Sequence, residues 1–121
     1  MTTVGELKKV LEDMKRNFNT EASAVISKSG IPIVWSIPEG VHVETFATLS
    51  ATILGASEVV CTWLNKGQPR RVLVETESGN LMAVSLGPKA LFVAMSTSPP
   101  DKLAAQVEET AKTIRGVLAN E

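Results

Sequence analysis

The sequence has one cysteine, one histidine, no tyrosine and only 4% aromatic residues in a chain of 121. The lone Cys61 excludes an internal disulfide and any multi-cysteine metal site, and it fits a reducing compartment, so a cytoplasmic location is expected. So few aromatics cannot build the usual platform for stacking bases. Twelve basic residues stand against 13 acidic ones, for a net charge of −1. Nucleic acid and anionic membrane therefore have no electrostatic claim as partners. The opening segment MTTVGELKKVLEDMKRNF is charged and periodic and lacks the apolar core of a secretory signal. Phosphate-binding loops, dinucleotide-binding glycine patterns and metal-ligand spacings are missing as well, so neither cofactor nor metal is expected.

What is present is ordinary globular material, with 44% hydrophobic and 21% charged residues. A chain of this length buries roughly two-thirds of its unfolded surface in a single core. One domain over residues 1–121 is expected.

The hydrophobic period predicts the elements. Val4, Leu7, Val10, Leu11 and Met14 mark a helix from Thr3 to about Asn17, with Thr3 and Glu6 as its capping box. Ala22 to Lys28 and Ile31 to Ser36 read as a hairpin turning at Gly30. Pro32, which has no N–H, places the second strand at a sheet edge. A helix is expected from about Val41 or His42 to Asn65, stopped by Gly67. RRVLVET, NLMAVSLG and KALFVAMS follow as three strands joined too tightly for crossover helices, hence a meander. Ser98 before Pro99 opens a last helix with Leu103, Val107, Ala111, Ile114 and Leu118 as its stripe. The order α-β-β-α-β-β-β-α gives an α+β sandwich: one five-stranded, mostly antiparallel sheet flanked by helices.

The second helix, VETFATLSATILGASEVVCTWLN, has only two charges, Glu44 and Glu58, and no Lys or Arg. At ~100° per residue its uncharged surface covers well over half the circumference. Charge near its middle and its many hydroxyls argue against a membrane span. One sheet covers one side, so the other flank needs cover from the remaining helices or from a second copy. Ala47, Ala51, Gly55 and Ala56 would let a helix approach closely, and a two-fold homodimer is the simplest arrangement.

Chemistry is hard to find. His42 sits at a loop–helix junction, where a capping or exposed role is expected. Cys61 lies on the apolar stripe as a buried small hydrophobe. Glu75 and Glu77 share a strand face and read as a solvated strand end rather than an acid–base pair. No nucleophile-and-base set exists, so no catalytic residue is assigned and enzymatic activity is not expected. Lys66, Arg70 and Arg71 form a small basic cluster, and Trp35 and Trp63 are large anchors suited to a core or an interface.

Four stretches carry a resemblance. ASAVISKSGIPIVWS, ATLSATILGASEVV, RRVLVETESGNLMAVSLGPKALFVAMS and PPDKLAAQVEETAKTIRGVL, in this order, resemble the hairpin, central helix, meander and closing helix of the Roadblock/dynein light chain proteins. The resemblance is especially to the short single-domain prokaryotic members that regulate Ras-like GTPases. The match runs over roughly residues 3–118. One departure is Ser29 in the hairpin turn, where members commonly have Asp, and Ser serves in a turn equally well.

The resemblance implies a profilin-like fold and dimers in which central helices pair and an edge strand from each subunit continues one sheet. On this sequence it implies helix contacts through Ala47, Ser50, Ala51, Leu54, Gly55, Glu58 and Thr62. Edge-strand contacts would come from Arg71, Leu73 and Glu75. Lys66, Arg70 and Trp63 are candidates for a surface that meets a small Ras-like GTPase. A small-molecule-sensing domain of profilin-like or PAS-like build is the alternative.

Overall fold

The computed structural model describes residues 2–120, and over these the chain forms three helices and one five-stranded sheet. The elements are α1 (Thr3–Phe18), β1 (Ala22–Ser27), β2 (Pro32–Ser36), α2 (Val43–Trp63), β3 (Val72–Glu75), β4 (Asn80–Ser85), β5 (Ala90–Ser96) and α3 (Pro100–Ala119). Every strand pairing is antiparallel, in the spatial order β2-β1-β5-β4-β3. The fold is the expected α+β sandwich, with the predicted hairpin and meander in place.

Strand alternation sends neighbouring residues to opposite faces of the sheet. On one face Val25, Met82, Val84, Phe92 and Ala94 pack against Leu7, Leu11 and Met14 of α1 and Leu103, Val107, Ala111 and Ile114 of α3. On the other face Ala24, Ile26, Ala83, Leu91 and Val93 meet Ala47 and Leu54 of α2. The helices are therefore split two against one. This removes the option in which α1 and α3 lie beside α2 and cover its second flank.

Three helix ends differ from the sequence reading. The cap of α1 is Thr2 rather than Thr3, its Oγ1 accepting the Gly5 N–H at 3.0 Å. α2 ends at Trp63, and the left-handed residue that closes it is Asn65 (φ 56°) rather than Gly67. The Lys66 N–H donates to Cys61 O and the Asn65 N–H to Thr62 O, which together form a Schellman cap. Asn tolerates that conformation because its short amide offsets the strain locally. At α3 the cap is Pro99 with Pro100 at the first helical position. Ser98 is occupied elsewhere: its N–H and Oγ bond to Ser96 Oγ, and its carbonyl accepts from Asn80 Nδ2 at 2.9 Å. The third strand is also shorter than RRVLVET suggests, because Arg70, Arg71 and Thr76 lie outside the ladder.

The two edges of the sheet are built differently. At β2, Pro32 offers no N–H, the β1–β2 register slips between Val25 and Ile26, and the Lys8 ammonium donates to the Trp35 carbonyl. Each of these blunts an edge against further pairing. β3 has no proline and no bulge in its register with β4.

Candidate interaction surface

α2 lies on its sheet through a narrow strip. Ala47, Ser50 and Leu54 are buried. The flank toward the β1–β2 hairpin is closed by contact. A Cβ placed on Gly30 would come within 3.3 Å of Thr48 Cα and 3.9 Å of Ala51 Cβ. Lys28 Nζ lies 2.9 Å from Glu58 Oε2.

Much of the rest of the helix is exposed, with Phe46 half-buried against the core beneath. Leu49 is 58% exposed and Trp63 84%, with Val59, Val60 and Leu64 also exposed. Polar groups along α2 do little to wet this surface. Thr52, Ser57 and Thr62 turn their hydroxyls back onto the carbonyls of Thr48, Ile53 and Glu58, at 2.8, 2.9 and 2.9 Å. On the side away from the hairpin, Phe46, Ile53 and Val60 recur every seven residues, with Leu49 and Leu64 alongside. That spacing is the seam a second helix fits.

The residues expected at a helix contact are therefore divided by the fold. Ala47, Ser50 and Leu54 face the chain's own sheet and cannot touch a second chain without leaving it. Glu58 is paired with Lys28, and Ala51 lies beside Gly30. Gly55 is open, with nothing within 4 Å of a built Cβ, and Thr62 is exposed. Leu49, Ile53, Val60 and Leu64 are absent from the expected set, although the seven-residue spacing of Phe46, Ile53 and Val60 is visible in the sequence. A single uncharged arc gives no sign of which part the sheet will take.

Arg71, Leu73 and Glu75 lie along the open β3 edge, all exposed. Arg71 Nη1 sits 3.7 Å from Glu108 Oε1, and both side chains are about half exposed. Arg70 and Arg71 line an open depression of about 510 Å³ with Arg115, whose Nη2 donates to Ser85 O at 2.8 Å. Lys66 is exposed just past the α2 cap. Trp35 is on β2, partly exposed, so both tryptophans reach the surface.

The residues weighed for chemistry lie apart. His42 holds the N-cap position of α2, its carbonyl accepting the Phe46 N–H at 3.0 Å, but its side chain makes no cap bond and is exposed, with Nδ1 3.1 Å from Thr45 Oγ1. Cys61 is half-buried rather than fully buried, and Glu77 falls in the turn beyond β3, away from the strand face of Glu75. Among the described residues no three His, Cys, Asp or Glu side chains gather around a point where a metal ion could sit. A depression of about 650 Å³ between α1 and the end of β2 is lined by Lys8, Glu12, Lys15, Arg16 and Asn19 with Ser36 and Ile37. Its walls are mostly charged, whereas another open depression of about 550 Å³ is mainly apolar, with Ile33, Leu86, Pro88, Ala90 and Leu118 in its lining.

Comparison with known proteins places this architecture. Two uncharacterized proteins of Methanocaldococcus jannaschii are each 25% identical over 85 residues, covering 70% of this chain and 75% of theirs. MglB of Myxococcus xanthus superimposes with a TM-score of 0.88 at 11% identity, over 97% of this chain and 90% of that one. An MglB with a tetrameric arrangement gives 0.86 at 20% identity, with the same coverage. Profilin II of Acanthamoeba castellanii gives 0.65 at 15% identity, over 91% and 97% of the two chains. The Roadblock/LC7 domain model matches residues 6–96, from α1 through the end of β5, and the chain belongs to the Roadblock/LC7 domain family.

Proposed function

We propose that this chain is a homodimeric platform that binds a Ras-like small GTPase and modulates its nucleotide cycle, with no chemistry of its own. One observation carries the dimer: α2 sits by itself on its face of the sheet, uncharged on its outer side, next to an edge strand left open. Two β3 edges pairing about a two-fold axis normal to the sheet keep both α2 helices on the same face, side by side. The flank that then meets its twin is the one away from the hairpin, with Phe46, Leu49, Ile53, Val60 and Leu64. Such a pairing extends one sheet across two chains and covers the apolar flank that α1 and α3 leave open. On this reading α2 belongs on its sheet and against its twin rather than in a bilayer, and the chain works in the cytoplasm.

The GTPase half of the proposal rests on family membership, since prokaryotic Roadblock proteins of this size regulate Ras-like GTPases. The crest of α2 stays free when the flanks are paired. There Trp63, with Lys66 and Arg70 beyond it, supplies a large apolar anchor beside positive charge, the composition of an interface hot spot.

Sedimentation velocity tests the dimer. Pull-down against the small GTPases of the same organism, loaded with GDP or GTP, tests the partner, together with single-turnover GTP hydrolysis in the presence and absence of this protein. At least one GTPase is expected to bind, and Trp63→Ala to weaken that binding about tenfold or more without unfolding the chain. Failure to bind any of them in either nucleotide state would sink the proposal.

A further inference from the structure

We propose that the β3 edge carries a self-complementary sequence, Arg71-Val72-Leu73-Val74-Glu75, that selects a second copy of this chain in one register. Arg71 of each copy is set against Glu75 of the other. The inference rests on the dimer reading above and adds what makes that dimer specific.

The backbone decides which groups are available. The Thr76 N–H donates to Gly79 O at 2.9 Å, so Thr76 turns its backbone toward β4. Backbone direction alternates along a strand, so Val74 and Val72 face β4 as well, opposite Leu81 and Ala83. Leu73 and Glu75, with Arg71 one step ahead, therefore aim their N–H and C=O groups at the open side. In an antiparallel ladder, opposed residues either both face the seam or both face away. A two-fold pairing must then match odd residues with odd ones, which places the axis on Val72, Leu73 or Val74.

Side chains choose among the three. An axis on Val72 sets Arg71 against Leu73 and Glu75 against Pro69, which has no N–H to give. An axis on Val74 sets Arg71 against Glu77, which lies in the turn beyond β3, and Leu73 against Glu75, a carboxylate facing an aliphatic side chain. An axis on Leu73 sets Leu73 against itself, Val72 against Val74 twice, and Arg71 against Glu75 twice. Only this register pairs apolar with apolar and opposite charge with opposite charge at every step, the pattern that stabilises cross-strand neighbours. Arg71, Leu73 and Glu75 share the sheet face of Met82, which is paired with Leu73. Among the described residues Glu75 forms no ion pair, and the 3.7 Å contact of Arg71 with Glu108 is long and half exposed, so both charges can turn toward a second copy.

The charges also work as a lock. In a homodimer, Arg71→Glu sets a new carboxylate against the carboxylate of Glu75 twice. Glu75→Arg sets a new guanidinium against the guanidinium of Arg71 twice. Mixed one to one, the two variants avoid both repulsions, but only in the heterodimer, where one contact joins the two native charges and the other joins the two introduced ones. Sedimentation equilibrium on the full chain, with native mass spectrometry on mass-tagged variants, reads this directly. The wild type is expected to dimerise, each variant alone to dissociate at least about tenfold more readily, and the mixture to recover as heterodimer. Arg71→Glu/Glu75→Arg in one chain should dimerise with itself again, and Glu108→Gln should dimerise as the wild type does. If the wild type dimerises but the variants dimerise equally well, or the mixture fails to recover, this register is wrong while the dimer stands. A wild type that stays monomeric up to about 100 μM, where a stable dimer would be formed, overturns both.

Discussion

Lys28 Nζ and Glu58 Oε2 meet at 2.9 Å across the tip of the first hairpin and the last third of α2, with side chains only 26% and 21% exposed. This pair fixes which flank of α2 is closed. Glu58 is one of two charges on α2 and answers a cation on its own chain, so it is not a residue waiting for a partner. A half-buried pair of this kind contributes on the order of 1 kcal/mol. Glu58→Gln should therefore lower the unfolding free energy by about that amount in urea titrations and leave self-association unchanged.

Leu54 is the one large side chain of α2 that is fully buried. Its truncation removes the main attachment of the helix to Ala24, Ala83 and Val93. Leu54→Ala is expected to cost about 2–5 kcal/mol, as large-to-small changes in cores do. Hydrogen exchange along α2 should rise more than along α1 or α3, because α1 and α3 pack on the opposite face.

Gly55 and Leu49 separate the two flanks of the helix. A Cβ at Gly55 meets nothing within 4 Å, and Gly in a helix interior is worse than Ala by roughly 0.5–1 kcal/mol. Gly55→Ala should thus stabilise the chain and leave the proposed dimer intact. Leu49→Glu, on the exposed seam, should keep the fold and weaken the dimer by at least about tenfold. The opposite pattern in sedimentation velocity would move the interface to the hairpin side.

Asp13 accepts from Lys9 and Arg16 on the outer face of α1, and the Lys9 ammonium, followed by Arg16, holds its carboxyl below the usual carboxylate value. A lowered carboxylate pKa adds stability above the unfolded value, and that contribution is lost as pH falls through the folded value. Solvent reaches the pair, so the effect is small. In a carbon-13 carboxyl titration Asp13 should show a midpoint below that of free aspartate, and Lys9→Ala should raise it. An unshifted Asp13 would show that the surface pairs do not persist in solution.

Much of the fold can be read in the sequence for local reasons. Leu103, Val107, Ala111 and Ile114 keep a period near 3.6 and all four are buried. Gly30 at φ 94° turns the hairpin, and Pro32 lies on an edge strand, as a residue without an N–H must. Helix ends are less legible. Thr2 and Thr3 are chemically equal as caps, and Gly67 outranks Asn65 on propensity alone. The chain stops α2 where its backbone can close the Schellman bonds from Lys66 and Asn65, a condition of geometry that composition does not express.

The interaction surface divides in the same way. Sequence alone determined that α2 has more uncharged surface than one sheet can cover, because charge content and helical period are properties of the residues themselves. It also determined the order Arg71 to Glu75, whose charges are complementary under reversal. Tertiary structure decided that α1 and α3 pack on the other face, which leaves α2 unaccompanied, and that Ala47, Ser50 and Leu54 turn inward while Leu49 and Val60 turn out. It also decided that β2 is the blunted edge and β3 the open one. Those outcomes depend on contacts between residues far apart in the chain, Lys8 with Trp35 and Lys28 with Glu58 among them. No local period encodes such contacts.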